Sequence, residues 1–331
     1  MKSASFNFEP DLALSFQGLT LLVGSNNPRL VREIERELSF LTTTGTGGSE
    51  VLRYFFHDRT LPVRDDFSPP PVEPKDQMQL SERITGFFPL DKPGAWVIAD
   101  RGYRWDEAVI ASINILSNLA TLALGRSRGT FTFHGAALVR NDSALLLPGM
   151  TGSGKTTVSF AATLSGWTCL TDEWTILLPG PPFKLMGFPR GFRVYGEIVK
   201  RYPQIFRKER LAGKYAAFED RGFLILQEIR DRTPFDRSYP IAKIVILDHQ
   251  AGTDQPVLTP AGTGEATYEL LTSLFGASRK EEGISATEYN RQGFSIVRSL
   301  IEYVPVFRLT CNIFRHLPEI PSLLDTLVPG P

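Results

Sequence analysis

One glycine-rich stretch constrains this chain more than any other feature. Residues 149–156 read Gly-Met-Thr-Gly-Ser-Gly-Lys-Thr, which matches the pattern of a glycine, four variable residues and then Gly-Lys-Thr. Glycine allows positive φ and close approach of the backbone, so a loop of this kind joins a buried strand to the first turn of a helix. The apolar run at 144–147 predicts that strand, and apolar residues at helical spacing over 158–164 predict the helix. The stretch therefore predicts a strand–loop–helix unit inside an α/β domain.

The loop sequence also indicates what it would bind. Backbone N–H groups in such a loop converge on phosphate, so the motif predicts a nucleotide-binding loop of the Walker A type, or P-loop. Lys155 is expected to bring positive charge to the β- and γ-phosphates, and the hydroxyl of Thr156 is suited to a Mg²⁺ ligand. The predicted nucleotide-binding residues are Gly149, Thr151, Gly152, Ser153, Gly154, Lys155, Thr156 and Thr157.

Charge and cysteine content exclude several classes of partner. Lys+Arg and Asp+Glu are equal at 36 each, which predicts no nucleic acid and no anionic membrane as partner. Cys169 and Cys311 have neither metal-ligand spacing nor the density of a disulfide-stapled secreted domain. The first residues lack the features of a secretory signal, and the apolar segment 109–124 carries a polar stripe typical of a core helix. We therefore expect a cytoplasmic protein.

A change in the residue pattern near residue 129 predicts two domains. Residues 1–128 mix alternating runs such as 12–16 with an amphipathic helix over 28–41, so we expect an α+β domain with an accessory or substrate-recognition role. Two stretches rich in Gly, Thr or Pro, at 42–48 and 68–74, are expected to be loops. Residues 129–331 are expected to form the domain that carries the glycine-rich loop.

The strand before the loop is predicted to have an antiparallel neighbour. Residues 130–139 alternate like a strand, and Asn141 and Asp142 make a short turn into the apolar run before the loop. This hairpin favours a mixed sheet covered by helices over a doubly wound parallel sheet. Further strands are predicted at 169–171, 176–178, 241–247 and 304–309, and a helix at 264–275 is predicted to stop at Gly276.

Polar residues outside the loop are the next candidates for chemistry. Asp172 and Glu173 follow a short predicted strand, where a sheet of this kind would bring them near the loop. One carboxylate could hold Mg²⁺ and the other could orient or deprotonate an attacking hydroxyl, and the sequence leaves open which does which. His134 on the hairpin strand is a candidate catalytic residue, with a structural role as the alternative. Arg190 and Arg193 could bind the transferred phosphate or the substrate.

Three of these segments together resemble a known family. In order and spacing, 133–135 (Phe-His-Gly), the loop 149–156 and 170–173 (Leu-Thr-Asp-Glu) are similar to the catalytic domain of HPr kinase/phosphorylase and its HprK-related serine kinase relatives. The resemblance covers roughly residue 129 to the C-terminus. It implies a P-loop kinase domain with a mixed β-sheet, of the fold shared with phosphoenolpyruvate carboxykinase. It also implies ATP and Mg²⁺ as cofactors and often a symmetric homo-oligomer.

The same resemblance implies roles for individual residues. Lys155 would bind the β- and γ-phosphates, and Thr156 and Asp172 would serve Mg²⁺. Glu173 takes the position of a second family aspartate, the general base, and reaches one methylene further, so Asp172 is the alternative base. His134 would lie beside the transferred phosphate.

The sequence departs from the family in one segment. The Glu-(Ile/Val)-Arg-Gly-Leu-Gly signature, which is tied to the HPr protein and to phosphorolysis, is not found, and 187–191 is its nearest and poor match. The resemblance therefore does not favour HPr as the substrate or the reverse phosphorylase activity.

Three functions follow from these observations. The leading hypothesis is an ATP- and Mg²⁺-dependent phosphotransferase that phosphorylates a hydroxyl, with a serine of a protein or peptide as the expected acceptor. The alternatives are a small-molecule kinase and an ATP-binding regulator without an acceptor. The paired carboxylates favour a kinase over a regulator, and a decarboxylating carboxykinase is disfavoured because the chain is short for an additional substrate domain.

Overall fold

The structure is a computed structural model of the 331-residue chain. It describes residues 8–44, 50–67, 77–87, 94–189, 191–205, 221–224, 237–277, 286–328 and 330. Backbone contacts divide the chain into two compact units. Of the described residues, those up to Ala123 belong to the first unit and those from Leu124 onward belong to the second unit.

The first unit is built on a six-stranded mixed sheet. Its strand order is β1-β2-β3-β6-β5-β4, in which β2, β3 and β6 are parallel and the outer strands pair antiparallel. Every residue of β2 is buried, as expected for a strand covered on both faces. The elements are β1 (Leu12–Phe16), β2 (Leu19–Ser25), α1 (Pro28–Glu37), a 3₁₀ turn (Ser39–Leu41), β3 (Glu50–Asp58), β4 (Gln77–Ser81), β5 (Ile84–Phe87) and β6 (Gly94–Ala99).

Helix α1 confirms the amphipathic helix predicted over 28–41, although its last part is a separate 3₁₀ turn. Its apolar stripe, Leu30, Val31 and Ile34, is buried. Asn27 caps the helix, because its side chain accepts a hydrogen bond from the Arg29 N–H at 3.1 Å. Of the two predicted loops, residues 42–44 lie outside regular helix and strand, whereas 45–48 and 68–74 fall outside the described residues.

Helix α2 (Trp105–Arg128) crosses the division between the units. It is the one helix in the described part of the chain that is long and apolar enough to cross a membrane by length and composition. Within this protein, 72% of its most apolar window is buried. That burial is typical of a core helix.

The second unit is built on an eight-stranded mixed sheet. Its main strand order is β11-β10-β7-β8-β14-β16-β15, with β9 paired to β7. A separate pair, β12 and β13, is antiparallel. The strands are β7 (Phe131–Arg140), β8 (Ser143–Pro148), β9 (Thr168–Thr171), β10 (Trp174–Leu178), β11 (Lys184–Gly187), β12 (Phe192–Tyr195), β13 (Arg221–Leu224), β14 (Tyr239–His249), β15 (Val257–Pro260) and β16 (Val306–Cys311).

The predicted hairpin and the predicted α/β class are both confirmed. β7 and β8 pair antiparallel around Asn141 and Asp142, both of which have positive φ, as a two-residue turn of this hand requires. On its other side β8 pairs parallel with β14, which pairs parallel with β16. Three parallel strands therefore end side by side at the edge of the sheet where β8 enters the loop.

Helices cover the sheet of the second unit. Leu270, Leu274, Val297 and Leu300 from two of them enter one apolar core with residues of β7, β8 and β14. The prediction that one helix stops at Gly276 is wrong by a residue: this helix continues through Gly276 to Ala277, since one glycine near its end costs only about 1 kcal/mol. The helices are α3 (Lys155–Leu164), α4 (Gly196–Arg201), α5 (Thr263–Ala277), α6 (Ala286–Tyr303) and α7 (Ile320–Asp325).

Candidate functional site

The glycine-rich loop, residues 149–156, joins β8 to the N-terminus of α3. Gly149, Gly152 and Gly154 have φ of 146°, 92° and 93°, values that residues with a Cβ rarely adopt. Gly154 is the N-cap of α3, and no side chain caps that helix. The first turn of α3 therefore presents its backbone N–H groups without the side-chain acceptor that usually satisfies one of them.

Close packing as well as φ explains the glycine at the end of the loop. A Cβ placed on Gly154 would lie 2.1 Å from Ile313 Cδ1, far inside van der Waals contact. A Cβ on Gly152, by contrast, would meet nothing within 4 Å. Gly154 is thus favoured by its φ, and a side chain there would also have to displace the buried terminal methyl of Ile313, whereas at Gly152 only φ favours glycine.

Lys155 is folded back over the loop. Its Nζ donates to the carbonyl oxygens of Gly149 at 2.7 Å and Met150 at 2.9 Å, and to Ser153 Oγ at 3.3 Å. The side chain is 5% exposed, and burial lowers the pKa of Lys155 to about 8, against the opposing effect of the Asp172 charge. The ammonium group therefore lies inside the loop, and burial makes its charged form costly.

Asp172 contacts Thr156, the residue after Lys155. Thr156 Oγ1 donates to Asp172 Oδ2 at 2.8 Å, which joins the first turn of α3 to the end of β9. Asp172 is 4% exposed. Among the residues that the structure describes, no group of three or more His, Cys, Asp and Glu side chains is placed to hold a metal ion. The structure does bring together the oxygen atoms of Thr156 and Asp172, the two residues predicted to hold a metal ion.

Glu173 is held by its backbone at the turn between β9 and β10. Its N–H and that of Trp174 donate to Thr171 Oγ1 at 3.4 and 3.3 Å, and its carbonyl oxygen accepts from the Gly135 N–H at 2.9 Å. Unlike buried Asp172, Glu173 is half-buried. The two carboxylates of the pair therefore have different surroundings, which suits a division of tasks.

His134 lies on β7, between the loop and the acidic pair. Its carbonyl oxygen accepts from the Gly149 N–H at 3.2 Å, and its ring lies 5.5 Å from the Trp174 ring. The side chain is buried. The next residue, Gly135, carries the hydrogen bond to Glu173 described above. One strand thus connects the first glycine of the loop with Glu173 through main-chain hydrogen bonds.

The remaining predicted site residues fall into three groups. Thr151 is exposed at the tip of the loop, and Thr157 is buried in the first turn of α3. Arg193 lies on β12, and only its backbone is described. Arg190 lies outside the described residues. The loop, His134, Asp172 and Glu173 are therefore the predicted residues that this structure brings together.

Two residues at the site were not predicted from the sequence. Ser273 of α5 is fully buried and donates from Oγ to the His134 carbonyl oxygen at 2.6 Å, and Ile313 packs against Gly154. The sequence gives one indication of Ser273: it is polar and lies next to Leu274 on a helix whose packing face is otherwise apolar. Ile313 gave none, because its role comes from a contact between residues 159 positions apart in the sequence.

Neither a protein-family model nor a curated protein matches this chain.

Proposed function

We propose that this chain is an ATP- and Mg²⁺-dependent kinase of the HPr kinase-like type, which transfers the γ-phosphate of ATP to a hydroxyl, with a serine of a protein or peptide as acceptor. The observation that carries the proposal is the 2.8 Å hydrogen bond between Thr156 Oγ1 and Asp172 Oδ2. It joins the hydroxyl that ends the loop motif to the first carboxylate of the acidic pair. Phosphoryl transfer on such a loop needs both groups at the same end of the nucleotide.

The strand arrangement supports the finer assignment to a P-loop kinase domain of the HPr kinase and phosphoenolpyruvate carboxykinase type. The strand before the loop, β8, has an antiparallel neighbour that carries His134, and that neighbour also pairs with β9 and β10, on either side of the acidic pair. A purely parallel sheet would give β8 two parallel neighbours.

The oxygen atoms of Thr156 and Asp172 fit Mg²⁺. This ion prefers hard oxygen ligands, is usually bound by one or two protein groups, and takes its other ligands from water and substrate phosphate. A hydroxyl and a carboxylate already in contact form such a donor set. Bound Mg²⁺ would neutralise phosphate charge.

The protein groups divide the chemistry of transfer. Lys155 places positive charge on the β- and γ-phosphates, and the backbone N–H groups of the first turn of α3 hold phosphate oxygens. The oxygen of the acceptor hydroxyl bonds to the γ-phosphorus, the bond from that phosphorus to the β,γ-bridging oxygen breaks, and ADP leaves. Glu173 accepts the hydroxyl proton, since it is the less buried of the two acids and Asp172 is engaged by Thr156.

The test is transfer of labelled γ-phosphate from ATP with Mg²⁺ into a lysate of the source cell, with proteins and peptides separated from metabolites. We expect a labelled band with the wild-type chain and a loss of about 10²- to 10³-fold in Lys155→Ala and Asp172→Asn. Asp142→Asn is the matched control, because that carboxylate is exposed at the tip of the hairpin.

Glu173→Gln separates the alternatives. A kinase with Glu173 as base would keep MgATP binding and lose transfer. Label that appears only in a small molecule would replace the peptide acceptor with a metabolite. Tight MgATP binding with no acceptor, and no change in Glu173→Gln, would contradict the kinase proposal in favour of a regulator.

A further inference from the structure

Three parallel strands end beside the glycine-rich loop, and only one of them enters it. β8 leads into the loop, β14 ends at His249, and β16 ends at Cys311, with His249 and Cys311 paired in register. Ligands of open α/β sheets bind at the carboxyl ends of parallel strands. The residues that follow β14 and β16 therefore share an edge with the loop, on the side of β8 away from the acidic pair.

The segment after β16 is in direct contact with the loop. Ile313 packs so closely on Gly154 that a Cβ there would lie 2.1 Å from Ile313 Cδ1. Phe314 is the next residue along the chain. Phe314 therefore directly follows the residue that contacts Gly154, the last glycine of the loop.

Two aromatic rings at this edge lie at right angles. The ring centroids of His249 and Phe314 are 6.1 Å apart and their planes differ by 89°. His249 is exposed and Phe314 is 39% exposed, so both rings present surface to solvent. Aromatic faces of this kind stack on the bases of nucleotides, and the stacking tolerates different bases because every base has a π face.

The backbone that carries these rings is held in place by hydrogen bonds. The Ile313 N–H donates to His249 Nδ1 at 3.1 Å, which fixes the histidine ring and leaves Nε2 as its remaining donor. The Arg315 N–H donates to Asn312 Oδ1 at 3.1 Å, and Arg201 donates to the carbonyl oxygen of Phe314. A surface ordered in advance loses little conformational entropy when a ligand binds.

We propose that the perpendicular rings of His249 and Phe314 form the subsite for the base of the nucleotide whose phosphates bind the glycine-rich loop. The inference rests on the proposed nucleotide-binding function and adds a location for the base. The base stacks on one ring and meets the second ring at its edge. The triphosphate runs from there past Ile313 and Gly154 to Lys155.

The experiment compares two ligands on the full chain. Isothermal titration with MgATP and with magnesium tripolyphosphate, which lacks a base, is done on the wild type and on Phe314→Ala. We expect Phe314→Ala to weaken MgATP binding by about 5- to 150-fold, the range of base–aromatic stacking, and to leave tripolyphosphate binding unchanged. Tyr268→Ala is the matched control, since Tyr268 is 67% exposed on α5 and should affect neither ligand.

Two more variants separate stacking from packing. Phe314→Tyr retains the aromatic face and should keep MgATP affinity, whereas Phe314→Leu retains an apolar side chain without the face and should lose affinity as the alanine variant does. Equal MgATP affinity in the wild type and Phe314→Ala, wild-type affinity in Phe314→Leu, or equal losses for both ligands would overturn the base subsite. If the wild type binds neither MgATP nor tripolyphosphate, both the base subsite and the proposed nucleotide-binding function are contradicted.

Discussion

The two units each contain a ten-residue helix that directly follows a strand with a parallel neighbour, and the two junctions are built in opposite ways. α1 follows β2 and begins with Asn27, whose side chain caps the helix, and with Pro28, which has no N–H to satisfy. α3 follows β8 and begins with Gly154, which offers no capping side chain. The N-terminus of the first helix therefore has a side-chain acceptor, and the N-terminus of the second helix has none.

Each junction also has a buried acid, Asp58 in the first unit and Asp172 in the second. Asp58, at the end of β3, is 3% exposed and accepts from Tyr103 Oη at 2.8 Å, from Asn27 Nδ2 at 3.0 Å and from the N–H and Oγ1 of Thr60 at 2.9 and 2.6 Å. Burial raises its pKa, but these hydrogen bonds outweigh burial and hold the pKa below its ordinary value. Asp58 therefore has the partners that a structural carboxylate needs within its own unit.

The two junctions differ at the start of the helix and not in the placement of their polar residues. Both junctions gather polar residues at the carboxyl ends of parallel strands, so that placement alone does not identify a site. α1 begins with a side-chain cap. α3 instead follows a loop with three positive-φ glycines, and its first residue is a buried lysine. A backbone that only glycine adopts without strain, next to a costly buried charge, is typical of ligand-binding sites rather than of structural junctions.

The largest expected effect is that of a methyl group at Gly154. Gly154→Ala would combine a left-handed φ with a clash against Ile313, so we expect the local free energy of unfolding around β8 and α3 to fall by about 3 to 4 kcal/mol. Gly152→Ala has the same φ and open space, and should cost about 1 kcal/mol. Hydrogen exchange of β8 and α3 peptides measures both. Equal losses would show that space at Gly154 does not matter.

A somewhat smaller effect is expected for Asp58→Ala in the first unit. Removal of the carboxylate would leave its buried donors without an acceptor, which should lower the stability of β2 and β3 by about 2 to 3 kcal/mol. Asp100→Ala, an exposed carboxylate paired with Arg59, is the control and should change stability by less than about 0.5 kcal/mol. MgATP affinity should not change, because the partners of Asp58 all lie in its own unit. A variant with normal exchange protection but weakened MgATP binding would contradict a purely structural role for Asp58.

The smallest expected effect is a pH dependence of nucleotide binding. In the free protein burial lowers the pKa of Lys155 to about 8, whereas bound phosphate favours the charged form and raises the pKa again. Above pH 8 binding must therefore take up a proton, and the Kd of MgATP should rise by about tenfold per pH unit until the pKa of the complex is reached. Below pH 8 the Kd should be nearly constant.

Lys155→Arg provides the check on this pH dependence. Arginine stays charged over the whole range, so the slope above pH 8 should disappear in that variant. Titration calorimetry at pH 8.5 in two buffers of different ionisation enthalpy measures the proton uptake directly. A wild-type Kd that does not change between pH 7 and 9.5 would contradict the assignment of a buried, phosphate-facing ammonium group.

Local patterns predicted much of the fold. The alternation over 130–139 and the Asn141–Asp142 turn were enough to predict the hairpin, because a tight turn and period-two alternation both act between neighbours in the chain. The end of α5 was misplaced because packing of its apolar face outweighs the propensity of Gly276. The sheet orders of both units were beyond prediction, since strands such as β8 and β14 pair across about a hundred residues.

The loop, its glycines, its lysine and the acidic pair could be read from the sequence alone, because each lies within a few consecutive residues. The tertiary structure was needed to show that Thr156 contacts Asp172, that one strand joins the loop to Glu173 through His134 and Gly135, and that Ile313 packs on Gly154. Those contacts depend on strand pairing and close packing between distant segments. Which distant segments meet is set by the burial of apolar surface summed over the whole unit, and no local pattern encodes that sum.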